Sequence, residues 1–381
     1  MPRGITPILA GFFLQPLLAI SFSPLPWIAG ESPYSEAWGV SADGSTVVGS
    51  VPSGPENFSR PVRWVDETLH VLPVPSSSAP GSGPAGQGLG ISGDGSVVVG
   101  NFAGQAYRWS QTDGIIPLGA LSTTMPYSGA RAVSGDGIRV YGQTNDPQGT
   151  TGYVWTAAGG MISMGKMPGP YSRATSPHSA NWDGSVVVGS AEVTGTPSRI
   201  AVVWSDGLLT ALPAPSGSII YSDAYDISGR FISGSATLAG PWPYQTHAVV
   251  WDLHGEFTPR ILASPEGARQ TIADAISANG TVAGGQSIIG NEAHAVLWDQ
   301  MGNLHYLSEQ LHAAGLETEG WQFLGVTGIS DDGRTLVGNA INPEGHTQAW
   351  IVRDFQFIPE PSASLLFTLA VCALLGTRRR N

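Results

Sequence analysis

The sequence predicts an all-β fold built from repeats, and three observations carry that reading. A hydrophobic-Ser-x-Asp-Gly phrase recurs seven times in variant form, a second Gly follows it at a fixed distance, and each phrase leads to one Trp. The phrases are Val40-Ser41-Ala42-Asp43-Gly44, Ile91-Ser92-Gly93-Asp94-Gly95, Val133-Ser134-Gly135-Asp136-Gly137, Ala180-Asn181-Trp182-Asp183-Gly184, Ile227-Ser228-Gly229, Ile276-Ser277-Ala278-Asn279-Gly280 and Ile329-Ser330-Asp331-Asp332-Gly333. The fifth is shortened. In the other six the second Gly falls eight residues after the leading Ser or Asn, at Gly49, Gly100, Gly142, Gly189, Gly285 and Gly338. From Trp64 through Trp109, Trp155, Trp204, Trp251 and Trp298 to Trp350, six steps cover 286 residues, about 48 each. That is a repeat of supersecondary size.

Each unit is justified element by element. Asp-Gly and Asn-Gly tolerate the positive φ that a two-residue type I′ hairpin turn demands, so such a turn is expected at each tip. In the first unit this register sets Val40 against Val47, Gly39 against Val48 and Trp38 against Gly49, with Val40 and Val47 on one core-facing side. The Trp marks a third strand. A fourth follows in apolar stretches such as Ile115-Ile116-Pro117-Leu118 and Leu208-Leu209-Thr210-Ala211-Leu212. Four strands in about 48 residues, without helical periodicity, predict a seven-bladed β-propeller of four-stranded blades. A β-solenoid usually has shorter repeats, and a row of sandwiches needs more residues per unit.

Ring closure has two candidates. Leu25-Pro26 precedes Tyr34-Ser35 at the spacing that separates Leu212-Pro213 from Tyr221-Ser222, so residues 20 to 25 read as a stray fourth strand for the last blade. Phe355-Gln356-Phe357-Ile358 competes for the same place.

Composition agrees with a loop-rich β protein: 51 Gly and 29 Pro supply turns, and 41% of residues are hydrophobic, enough for a large core. The net charge is −12 and Lys166 is the sole lysine, which excludes nucleic acid as a partner and disfavours anionic membrane surfaces. Cys372, the single cysteine, lies near the C-terminus, leaving the repeats without disulfides or catalytic thiols.

The ends read as processing signals. Residues 1–19 carry Arg3 and an apolar run from Ile8 to Ala19, a signal peptide by length; 20–358 form the propeller; 359–381 form a tail. The tail opens with Pro359-Glu360-Pro361, runs uncharged from Ser362 to Gly376 and ends in Arg378-Arg379-Arg380. Its hydrophobic helix is short for ~30 Å of hydrocarbon, and the arginines stay cytoplasmic by the positive-inside bias.

This order of parts resembles the PEP-CTERM sorting signal. The resemblance implies exosortase-type machinery as a partner, transient anchoring at the inner membrane, and release to the cell surface or exterior of a Gram-negative bacterium with an exopolysaccharide system. The repeats, in turn, resemble the HAF repeats of probable extracellular proteins. His247-Ala248-Val249-Val250-Trp251 and His294-Ala295-Val296-Leu297-Trp298 carry the signature with Val in place of Phe, whereas Gln105-Ala106-Tyr107-Arg108-Trp109 and Gln348-Ala349-Trp350 depart further. This likeness implies export and repeat architecture and carries no reaction.

Candidate functional residues are those that break the repeat. The seven repeat Trp side chains are expected to pack between blades. Trp182, Trp242, Tyr244 and Trp321 stand outside that pattern and are the candidate ligand contacts, with exopolysaccharide as the first partner expected. Asp223, Asp226 and Asp274 are the candidate acids should the channel hold paired carboxyls. No cofactor or metal is expected: each tip offers too few oxygens for calcium, and the histidines lack zinc-ligand spacing. Gly88-Leu89-Gly90-Ile91-Ser92-Gly93 matches the dinucleotide fingerprint in letters only, because a β-turn follows where a helix should open. The expectation is an exported, non-catalytic binding or structural protein of the surface or matrix. The alternative is a polysaccharide-active hydrolase or lyase on the same scaffold.

Overall fold

The computed structural model describes residues 19–54, 58–74, 86–167, 172–194, 198–215, 219–240, 243–254 and 257–358. The expected signal segment up to residue 18, Trp242, and the tail with Pro359, Glu360, Pro361, Arg378, Arg379 and Arg380 lie outside these residues. Among the described residues no helix is long and apolar enough to cross a membrane.

The hairpin register is the expected one near each tip, but the turn differs. Val40 faces Val47 and Gly39 faces Val48. Of the Asp43-Gly44 pair only Gly44 has positive φ, at 74°. Gly44 N–H donates to the Ser41 carbonyl at 2.9 Å and Ser41 N–H to that of Thr46 at 2.8 Å. The loop is therefore four residues long and built on a type I turn, a correction to the two-residue type I′ reading. Ser41 is the cause. Its buried Oγ donates to Asp43 Oδ1 at 2.6 Å and accepts from Thr46 N–H at 3.0 Å, while Ser45 N–H donates to the same Asp43 oxygen at 2.9 Å. Equivalent bonds recur from Ser92, Ser134, Ser277 and Ser330. The shortened fifth phrase is the true two-residue tip, with Gly229 at φ 56° and Ser228 facing Phe231.

Trp38 does not face Gly49. Ala37 does, and Trp38 is displaced by a β-bulge. The same bulge recurs downstream and shapes the site described below.

The first unit pairs Glu36–Val40, Thr46–Ser53, Phe58–Val65 and Thr68–Val71 in antiparallel order. Among the described residues, the strands form four four-stranded sheets and one twelve-stranded sheet. The larger sheet consists of three such antiparallel groups joined by single parallel bridges at Arg199 to Tyr221 and Thr246 to Gln270. Each group packs on the next, and the last packs on the first.

Of the two closing candidates, Ser21–Pro24 takes the place beside Thr347–Arg353, with Phe22 facing Val352. Phe355 is buried against the same group and Phe357 lies 4.8 Å from the His305 ring, so that segment packs as a cover and not as a strand.

The apolar core is divided between neighbouring groups: Val47, Val62 and Trp64 of the first meet Val337, Ala349 and Ile351 of the last, with Leu25 between them. The repeat Trp side chains serve this core. Trp64, Trp251, Trp298 and Trp350 are fully buried. Three indole N–H groups are satisfied by carbonyls, Trp64 by Pro26 at 2.9 Å, Trp251 by Pro213 at 2.8 Å and Trp298 by Ala263 at 2.7 Å. The seven positions are not all equivalent, however. Trp350 faces Gly338, whereas Trp64 faces Val47, so the last Trp sits two residues early in its strand. A short helix, Leu307–Ala313, was not foreseen; it buries Leu307 and Leu311, and Gln310 Oε1 accepts from Ile358 N–H at 2.9 Å.

Candidate ligand-binding channel

Every first strand of a group carries its bulge three residues before the hairpin Ser or Asn. The displaced residues are Trp38, Leu89, Arg131, His178, Tyr225, Asp274 and Thr327. A bulge leaves one residue outside the ladder and re-aims its side chain. All seven line one cavity of about 780 Å³, which the seven first strands enclose.

The hairpin tips narrow one end of this channel. Ala42 N–H donates to the Gly93 carbonyl, Gly93 to Gly135, Ala278 to Asp331 and Asp331 to Ala42, each at 2.9 Å. Trp182 lies over this end, so close that a Cβ at Gly93 or Gly135 would strike its ring. Trp182 stays 57% exposed, and among the described aromatic candidates it is the one that reaches the channel. Gln87, Asn101, Tyr127, Gln143 and Gln286 also line the cavity.

Several channel groups are already engaged. His178 Nδ1 lies 2.9 Å from the Ala224 carbonyl and so carries the proton, while Nε2 lies 3.1 Å from Ser176 Oγ. Burial and the nearby Arg131 charge pull this imidazole down to about 4, leaving it neutral. It stacks on Tyr225 with ring centroids 5.8 Å apart. The Tyr225 phenol, pushed up by burial, lies 3.3 Å from Ser235 Oγ. Thr327 Oγ1 donates to the Ala37 carbonyl at 2.9 Å.

The three candidate acids part company. Asp226 is tied down: Ser179 Oγ and Ile227 N–H donate to Oδ1, both at 2.8 Å, and Ile276 N–H donates to Oδ2 at 3.2 Å. Burial raises its carboxyl in spite of these bonds. Asp274 has no hydrogen-bond partner among the described residues, and burial pushes it up to about 7. Asp223 lies outside the channel, in a neighbouring cleft with Glu192, Arg199, Tyr221 and Gln270; Tyr225 borders both.

The other aromatic candidates are elsewhere. Tyr244 is exposed just before Gln245–Asp252 and lines neither cavity. Trp321 packs edge-on to Phe22 at 5.1 Å and stacks on Phe323 at 6.3 Å, supporting the closing strand. Sequence reasoning missed Trp38, Leu89, Arg131, His178, Tyr225 and Thr327 as a set. Their signal was available: one column of the repeat that differs in every unit between columns that are mostly Gly or Ala. The Gly88 to Gly93 run is strand and turn, with no helix.

No known protein family matches this sequence, and no curated protein does. Solved structures do match. An oligogalacturonate lyase from Vibrio parahaemolyticus superimposes with a TM-score of 0.55 at 9% identity, over 90% of this chain and 98% of that one. The β-propeller domain of the Trilobed protease from Pyrococcus furiosus gives 0.53 at 10% identity, over 86% and 99%. Prolyl oligopeptidase B from Galerina marginata gives 0.51 at 12% identity, over 84% of this chain and 48% of that one. At such identities the likeness is one of fold, and the fold is an all-β propeller.

Proposed function

We propose that this chain is an exported, seven-bladed β-propeller with four-stranded blades that binds an extracellular ligand in its channel without converting it, exopolysaccharide being the ligand named first. One observation carries the proposal. The positions on either side of the bulge are mostly Gly or Ala, with Pro177, Ser179, Asp226 and Val326 departing, while the bulged residue, which lines the channel in every unit, changes to Trp, Leu, Arg, His, Tyr, Asp and Thr. Packing alone gives no reason for that diversity; recognition of an asymmetric ligand does.

The unengaged groups suit a polar ligand with hydroxyls. Trp38 forms part of the channel wall, Asp274 brings a carboxyl without a hydrogen-bond partner among the described residues, and Arg131 adds donors at an exposed position. The PEP-CTERM resemblance supports delivery to the surface by exosortase-type machinery. The hydrolase or lyase alternative is less well served. Of the two acids on the channel wall, Asp226 is held by Ser179 and Ile276 and both His178 nitrogens are engaged, so Asp274 is the one without a hydrogen-bond partner among the described residues.

The test is co-sedimentation of the purified chain with exopolysaccharide from the producing cells, with reducing ends counted in parallel. Saturable binding that Trp38→Ala and Arg131→Ala each weaken at least tenfold, without shortened sugars, supports a binding module. Release of shortened sugars puts the enzyme alternative in its place, and no binding leaves a structural protein.

A further inference from the structure

The hairpin tips meet one another at one end of the channel. Besides the bonds already described there, Asp136 N–H donates to the Trp182 carbonyl at 2.9 Å and Ser228 Oγ to Asp331 Oδ1 at 2.7 Å, and a Cβ on Gly229 would strike the Ala278 carbonyl. Every group's tip thus touches the tip of at least one other. The Trp182 indole, from the fourth group, reaches past Gly135 of the third to Gly93 of the second. Depth along the channel is set by the strand register. Gln87 faces Asn101, Gln143 faces Gly129 and Gln286 faces Ile272. Gln87, Gly129 and Ile272 each stand five residues before the hairpin Ser, so the four amide side chains that line the cavity form a layer roughly 15 Å from the tips. The bulged residues lie between the amide layer and the tips. Tyr127, two residues before Gly129, lines the same cavity and is 45% exposed.

We infer that the tips and the Trp182 indole stop the channel, so that it takes a free end of a polysaccharide chain and not the chain's interior. The inference rests on the channel reading and adds which part of the polymer enters. A chain held by its interior needs a groove open along one side or a passage open at both ends. The first strands surround this cavity, each group packs on the next and the last packs on the first, so no side is open. At the tips, backbones in contact with one another and an indole laid across them stand in the way of a through-going chain. A free end arriving from the other side meets the amide layer first. Each Gln or Asn there offers a carbonyl to accept from sugar hydroxyls and an NH2 group to donate to them. The end then passes the bulged residues and comes to rest against Trp182, which lines the cavity as its floor.

The test is calorimetric titration of the full chain with exopolysaccharide from the producing cells, once at its native length and once after sonication, with the reducing ends released by sonication counted in parallel. Each break adds a site if an end is bound and none if the interior is. The protein bound per gram at saturation should therefore rise in step with the breaks, ~10-fold for an unbranched chain cut to about a tenth of its length. Gln87→Trp, which sets an indole in the amide layer, should weaken binding at both lengths at least ~10-fold with an unchanged melting temperature. If that variant misfolds, the comparison of lengths, which needs no variant, decides. A saturating amount per gram that sonication leaves unchanged, with binding still lost in Trp38→Ala, overturns end capture and leaves the channel reading standing. A folded Gln87→Trp variant that binds as the native chain does overturns entry from this side, and end capture with it. If the chain binds the exopolysaccharide at neither length, both readings fall.

Discussion

Ser179 Oγ donates a 2.8 Å hydrogen bond to Asp226 Oδ1 and so ties the first strands of the fourth and fifth groups together. At the same repeat position the other groups have Gly39, Gly90, Ala132, Ala275 and Gly328, which offer no side-chain bond. Asp226 also accepts from Ile276 N–H, which brings in the sixth group. This polar staple lies where the tip ring is interrupted, because the shortened fifth hairpin sends Ser228 Oγ to Asp331 Oδ1 at 2.7 Å instead of making the usual tip bond. Asp226→Ala leaves Ser179 and the Ile276 amide without their acceptor, and the expected loss is ~2–4 kcal/mol. Urea denaturation should show a lower midpoint at unchanged slope. Asp226→Asn keeps one acceptor oxygen and should recover about half.

Asp274 makes stability depend on pH in a stated direction. Burial holds its carboxyl protonated up to about 7, against ~3.9 in the unfolded chain. Between those values the native chain keeps a proton that the unfolded chain has released, so stability falls as pH rises from about 4 towards 7 and levels off above. Channel solvent reaches the carboxyl, and ~1–2 kcal/mol is the expected size after screening. Asp274→Asn removes the effect. Variant and native protein should be equally stable near pH 4 and differ by that amount at pH 8, with the variant the more stable, in urea titrations at each pH.

The repeat made the fold legible for a physical reason. A Ser whose hydroxyl bonds both an Asp and a strand amide sets the hairpin register, and the letters Ser-x-Asp-Gly announce it. The turn type was not legible in the same letters, because Asp43 is kept out of the left-handed region by its bonds from Ser41 and Ser45, not by its own preference. The bulge was invisible too, since an extra residue at Trp38 or Arg131 leaves the eight-residue spacing from Ser to Gly intact. Pattern reading seeks constant columns, and the channel residues form the variable one. Asp226 and Asp274 were noticed because a charge replaced Gly or Ala or stood beside the phrase. His178 and Tyr225, no less central, carried no such contrast. The helix at Leu307–Ala313 spans seven residues, too few for a period to declare itself.

The closing strand predicts a stability cost far from the channel. Phe22 meets Trp321 at 5.1 Å and Phe323 at 5.6 Å, both edge-on, while its strand completes the last sheet. Phe22→Ala removes both ring contacts and the burial that accompanies them, and ~2–4 kcal/mol should be lost. Limited proteolysis should then cut first near residue 24. A chain in which Phe355 to Ile358 supplied the closing strand would be nearly indifferent to this substitution.

Gly93 and Trp182 form the sharpest test of how the narrow end is built. The indole lies where a Cβ on Gly93 would have to go, and Gly135 Cα stands 3.3 Å from the same point, so the new methyl has no free direction. Gly93 does not have positive φ, which means that alanine there is opposed by space and not by backbone preference. In the native background Gly93→Ala should cost ~1–3 kcal/mol and shift the exposed indole from its seat, seen as a red shift in Trp182 emission against a Trp182→Phe control. With Trp182→Ala the obstruction is gone, and Gly93→Ala should become nearly neutral, a coupling of ~1–2 kcal/mol in the double-mutant cycle. Equal costs in the two backgrounds would place the indole away from the tips. The narrow end would then be closed by the backbone bonds among Ala42, Gly93, Gly135, Ala278 and Asp331 alone.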